Sequence, residues 1–198
     1  MRSKLLILSA LFAAQCAAQS HVIKFDAFDL LSSRISLSYE HLLGSQTSVQ
    51  ITSGVLLDYS KQTITYQPGI ALDSEDISKG WRFIPEFRYY LTEMTNMKAP
   101  AGAHVNFSGL YENENSSFVN ELNNWTKTEQ RVGVGAGLGM QWFFVRNLGM
   151  ELDFKIYTLY RFSDQSGNFY NGLISPFENS EISREFNSLF FGKIVYGF

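Results

Sequence analysis

Beyond about residue 20, apolar residues recur at every second position in segment after segment. The clearest case runs from Arg131 to Phe144: Val132, Val134, Ala136, Leu138, Met140, Trp142 and Phe144 fall on one side, with Gly133, Gly135, Gly137, Gly139 and Gln141 on the other. That is the side-chain period of a strand. Helical spacing is weak throughout, and similar alternation predicts six further strands. From Arg34, Ile35, Leu37 and Tyr39 oppose Arg34, Ser36, Ser38 and Glu40. From Ser48, Val49, Ile51, Val55, Leu57 and Tyr59 oppose Gln50, Thr52, Gly54 and Asp58. Trp81, Phe83, Phe87 and Tyr89 oppose Arg82, Glu86 and Arg88, and Val105, Phe107 and Tyr111 oppose His104, Asn106 and Ser108. Met150, Leu152, Phe154, Ile156 and Tyr160 oppose Glu151, Asp153, Lys155 and Arg161; the last segment sets Phe186, Phe190, Ile194, Tyr196 and Phe198 against Asn187, Lys193 and Gly197.

A soluble sandwich also alternates, with its apolar face inside. Two features favour the opposite arrangement. Charges of both signs sit mid-strand on the polar face. The connections also alternate in length: Leu43 to Gln46 and Val145 to Leu148 are tight and Thr92 to Ala99 is moderate, whereas Ser60 to Lys79, Glu112 to Thr128 and Phe162 to Ser183 are long and polar. Segments of about ten residues joined in this way predict an all-β, eight-stranded antiparallel up-and-down transmembrane barrel, with short periplasmic turns and long extracellular loops. Both chain ends belong on the short-turn side, so the strand number is even. This requires a first strand over His21 to Phe28, with Lys24 and Asp26 inward and a short Leu30 to Ser33 link. Aromatics make up 15% of the chain, and they band at the two ends of the strands. Tyr59, Trp81, Tyr111 and Tyr160 fall at the long-loop end, and Tyr39, Tyr89, Trp142, Tyr196 and Phe198 at the other. Amphipathic rings favour the two interfaces of a bilayer.

The start of the chain is separate from this pattern. Arg2 and Lys4, the apolar run Leu5 to Ala14 and the small residues Cys16-Ala17-Ala18 read as a cleaved signal over residues 1–18, leaving 19–198 as one barrel domain. Gln15 before the single cysteine argues against lipidation, and the mature chain then holds no cysteine. Removing Arg2 and Lys4 from the 16 basic residues leaves 14 against 19 acidic ones, a net −5. That balance argues against nucleic acid as a partner.

The terminal GKIVYGF and the segments ISLSYEHLL and WRFIPEFRYYL resemble small outer-membrane β-barrels of Bacteroidetes type, catalogued largely as domains of unknown function. With no peptidoglycan-binding domain following, the architecture is similar to the isolated OmpX type. The resemblance implies a bacterial outer-membrane location, contact with outer-membrane lipid and lipopolysaccharide, and delivery by the barrel assembly machinery. Phe190, Ile194, Tyr196 and Phe198 would be the assembly signal. A monomer is expected.

Candidate chemistry is sparse. Arg34, Arg82, Arg88, Arg131, Lys155 and Lys193, with Lys24, face inward against Glu40, Glu86, Glu151 and Asp153, with Asp26 and Asp58. Eight strands leave room only for side chains, and buried charges persist only when paired. A lumen closed by ion pairs is expected rather than a pore. Glu151 and Asp153 form a carboxylate pair of glycosidase type, but internal salt bridging is the simpler reading. His104 and Ser108 are four residues apart on one strand face, about 13 Å, too far for a nucleophile–base hydrogen bond. The glycine run lacks both the G-x-G-x-x-G spacing and the G-K-[ST] of phosphate loops. Asp73, Glu75 and Asp76 lack calcium-loop spacing. No catalytic, cofactor or metal residues are assigned. The expected function is non-enzymatic, in envelope structure or surface interaction through the long loops. The alternatives are a lipid-modifying membrane enzyme and a soluble barrel that binds a small apolar ligand. The glycines then make room for Lys155, Tyr157 and Leu159 on the neighbouring strand. Leucine at Gly137 should impair folding, and leucine at Asn171 should not.

Overall fold

The computed structural model describes residues 20–67, 70–92, 97–120, 123–170 and 174–198. The signal segment 1–18 and Asn171 lie outside them. Eight strands form a closed antiparallel barrel in sequence order: β1 (His21–Asp26), β2 (Arg34–Leu42), β3 (Thr47–Gln67), β4 (Ile70–Tyr90), β5 (Gly102–Asn120), β6 (Asn124–Phe143), β7 (Leu148–Tyr170) and β8 (Ile174–Gly197). β1 closes the ring on β8, and at the seam Phe198 N–H donates to His21 O at 2.9 Å. Stepping through paired residues from Val22 leads to Glu40, Gln50, Glu86, Ser108, Gly135, Tyr157 and Asn187, yet Val22 itself pairs with Gly197. This stagger, from Asn187 to Gly197, tilts the strands by roughly 40° and leaves an interior filled by side chains.

The faces are inverted relative to a water-soluble barrel. Val134, Phe107 and Phe190 point outward and are 64–69% exposed, whereas Lys24, Glu40, Arg88 and Glu151 point inward with no exposure at all. Stacked or tilted rings mark the ends of the apolar band, such as Trp81 with Tyr111 at 4.9 Å between centroids. The first strand spans His21–Asp26, and the link to β2 is a 3-10 turn over Asp29–Ser32.

The glycine stripe has a direct steric cause. Gly133, Gly135, Gly137 and Gly139 pair with Leu159, Tyr157, Lys155 and Asp153 of β7. A Cβ at Gly135 would lie 2.6 Å from Tyr157 Cδ1, and one at Gly137 would lie 2.7 Å from Lys155 Cγ. The long inward side chains of β7 occupy the space that a side chain on β6 would need.

One expectation is corrected. The long polar connections are largely strand rather than irregular loop. Pairing of β3 with β4 continues to Gln67↔Ile70, of β5 with β6 to Val119↔Asn124, and of β7 with β8 to Tyr170↔Ile174. Beyond the aromatic band both sheet faces meet water. The hydrophobic alternation that reveals a half-buried strand therefore vanishes while the backbone stays paired.

Candidate functional site: the charge-filled lumen

Strand alternation delivers the inward residues to the lumen, and the stagger between strands decides which of them meet. They sort into layers. Nearest the short turns lies a balanced cluster of Lys24, Arg88, Lys155 and Lys193 with Glu40, Glu86, Glu151 and Asp153, all buried. Glu151 is its hub. It accepts two hydrogen bonds from the Arg88 guanidinium, at 2.6 and 2.9 Å, one from Lys193 at 2.8 Å and one from Lys24. Asp153 accepts from Arg88 at 3.0 Å, from Lys193 at 3.2 Å and, on its other oxygen, contacts His104 Nε2 at 2.9 Å. Glu86 accepts from Arg88 Nε and from Lys155. Glu40 pairs with Lys24 at 2.6 Å and accepts from Ser48 and from the Tyr90 hydroxyl, the latter at 2.5 Å. Burying such ions costs several kcal/mol each, which only multiple well-placed partners offset.

Above this cluster sits an apolar layer of Ile84, Leu110, Tyr157, Leu159 and Phe191. Phe191 joins the two chemistries: Lys155 Nζ and Lys193 Nζ stand 4.8 and 5.1 Å from its ring centroid, and the Arg82 guanidinium 5.6 Å. A desolvated cation over a ring face gains electrostatic attraction. Further up, Arg82 pairs with Asp29 of the 3-10 turn, and Arg34 pairs with Glu112. Arg131 meets Glu112 at 3.4 Å and also Glu129. The ion pairs therefore fall mainly into a lower and an upper cluster on either side of the apolar layer, with buried Asp26 standing between Lys193 of the lower and Asp29 of the upper one, and Arg161 pairing separately with Glu185 at 2.8 Å. Arg34, Arg82 and Arg131 belong to the upper cluster. Asp58, expected inward, is exposed and accepts from Ser33 Oγ at 3.3 Å.

Several members escape sequence reasoning. Tyr90 lies close to a strand end, where alternation stops being diagnostic, and Asp29 reads as a linker residue; Gln141, on the inward side as its alternation predicts, accepts from Lys24 at 2.7 Å. Phe191 adjoins Phe190, and only one of the two can face inward; the outward position of Phe190 was the available signal.

Among the described residues, Glu86, His104 and Asp153 converge with one ligand atom each within 4.8 Å of one another. The donors do not suit a cation, because Arg88, Lys155 and Lys193 already saturate both carboxylates. Ser108 donates to the Tyr157 hydroxyl at 2.8 Å, and His104 turns instead to Asp153. On the outer face, Phe190, Ile194, Tyr196 and Phe198 are all exposed along β8, with Phe190 5.1 Å from the Phe154 ring.

No match is found among curated proteins. Among solved structures, the chain is similar to that of a major outer membrane protein from Thermus thermophilus. The TM-score is 0.57 at 10% identity, covering 90% of this chain and 98% of the other. At that identity the likeness concerns the fold. The model of a family described as a protein of unknown function, DUF3575, matches residues 4–168, and the chain belongs to that family.

Proposed function

We propose that this chain is a non-enzymatic integral protein of the bacterial outer membrane, with a closed lumen, acting in envelope structure or surface interaction. The single observation that carries the reading is the inversion of faces. A band of exposed apolar side chains encircles a barrel whose interior is packed with paired charges. In water such an exterior would aggregate; in lipid, pairing around the ring satisfies the backbone groups wherever neighbouring strands run side by side. The outer face would contact outer-membrane lipid and lipopolysaccharide. Phe190, Ile194, Tyr196 and Phe198 would serve as the signal to the barrel assembly machinery, and the paired extensions of β3 to β8 would carry contacts outside the cell.

The closed lumen is tested by conductance in planar bilayers. The expected result is no stable open channel, because the lower cluster and the apolar layer both block the axis. A large, steady conductance would refute it. The absence of enzymatic activity is tested by comparing lipid A masses from deletion and wild-type cells. They should be the same; a mass change restored by complementation would refute the non-enzymatic reading.

A further inference from the structure

The barrel wall is not of even height. β1 has 6 residues and β2 has 9, whereas β3 to β8 have 19 to 24. β2 pairs with β3 only up to Arg34↔Leu56, with one more bond from Leu57 N–H to Ser33 O at 3.1 Å. β1 pairs with β8 only up to Asp26↔Lys193, with one more from Ala27 N–H to Gly192 O at 2.8 Å. Above that level, the second edges of β3 over 58–67 and of β8 over 174–191 have no strand partner among the described residues. The solvent pattern changes where the neighbours end. Leu57, Asp58 and Tyr59 are all exposed in succession, and so are Phe186, Asn187 and Ser188, although Asn187 lies on the inward side.

The upper wall is therefore six strands of the eight, with a slot two strands wide. We propose that this slot is a docking site for a β-hairpin of a second polypeptide, which enters turn-first and completes the eight-stranded ring. Strand direction permits this. β3 runs away from the short turns and β8 runs back toward them, so one arm of such a hairpin is antiparallel to β3 and the other antiparallel to β8. Pairing on exposed sheet edges is an established mode of peptide recognition, in which main-chain hydrogen bonds supply affinity.

The bilayer supplies the reason for an occupant, and this step rests on the membrane reading above. Tyr160 of the outer aromatic band pairs with Arg184, so residues 185–191 of β8 fall on the lipid side of that band. Unpaired backbone there costs several kcal/mol per group, and acyl chains cannot satisfy it. A strand can. The outward neighbours on both edges, Leu57, Tyr59, Phe186 and Phe190, require a hairpin that is apolar on its outer side near the turn.

The test uses the full barrel refolded in bilayers, with faster gel migration of the unheated protein as proof of folding. Failure of that control counts against the membrane reading and is seen before the slot is probed. Hydrogen–deuterium exchange is then followed at 58–67 and 174–191. The wild type is compared with the wild type plus a synthetic hairpin of alternating Thr and Val around an Asn-Gly turn. The third sample is a chimera in which the same hairpin lengthens the β1–β2 connection between Phe28 and Ser33. The edges should exchange fast in the wild type and slow by roughly tenfold or more in the chimera and with the peptide. Edges that stay fast in both would overturn the proposal. So would edges already protected in the wild type, and protection that disappears as the protein is diluted in lipid would assign the slot to a second copy of this chain.

Discussion

Replacing Gly137 with leucine tests the packing account at its tightest point. Gly137 faces inward on β6 opposite Lys155, and a Cβ there would stand 2.7 Å from Lys155 Cγ and 2.9 Å from Asn106 Oδ1, as well as pressing on the Phe154 carbonyl. Three further carbons have nowhere to go without moving Lys155. Overpacking alone costs about 1–3 kcal/mol. Lys155 is also a partner of Glu86 and lies 3.6 Å from Asp153. Breaking a buried pair by displacing one member costs about 3–5 kcal/mol. The expected loss is therefore on the order of 4 kcal/mol or more, the overpacking and part of the ion-pair term combined. Ala136 is the matched control, because it neighbours Gly137 on the same strand but is exposed on the outer face. Leucine there should change stability by less than about 0.5 kcal/mol, as surface substitutions do. Urea titrations of both variants in lipid vesicles, read by the gel mobility of folded and unfolded forms, measure the difference. Equal tolerance at the two sites would mean that the inner and outer faces have been exchanged.

Three further outcomes follow from the same geometry. Glu151→Gln removes the hub charge that Arg88, Lys24 and Lys193 share, and should lower stability by about 3–5 kcal/mol in the same titration; a loss below about 1 kcal/mol would show that the cluster is not ion-paired. Lys61→Ala breaks contacts of 3.8 Å to Asp73 and Glu75 between exposed side chains and should cost no more than about 1 kcal/mol, with any larger effect refuting a solvated pair. Phe198→Ala should reduce the amount of barrel assembled in cells while the purified chain still refolds in detergent; equal cellular yields would argue against a signal role.

The sequence carries the fold in unusual detail because one physical variable, the polarity of each face, alternates residue by residue. Arg82, Glu86 and Arg88, or Glu151, Asp153 and Lys155, announce an inward face without any knowledge of their neighbours. The partners are another matter. That Arg88 meets Glu151 and Asp153 across the lumen, while Arg34 meets Glu112 higher up, depends on the stagger between strands, which no single strand records. The two-cluster division therefore emerges only from the folded chain. The polar extensions of β3 to β8 were hidden for a different reason: with water on both faces, a strand keeps its backbone pairing but loses its period. Asp29 combines both difficulties, because a turn residue reaches into the barrel to meet Arg82.

The central claim is that an apolar exterior and a charged, closed interior make this chain an integral membrane protein. Cell fractionation with a heat-dependent gel assay tests it most directly. The account predicts recovery in the outer-membrane fraction, release only by detergent, and faster migration of the unheated protein than of the heated one. Recovery in the soluble fraction without detergent, or migration unaffected by heating, would contradict it.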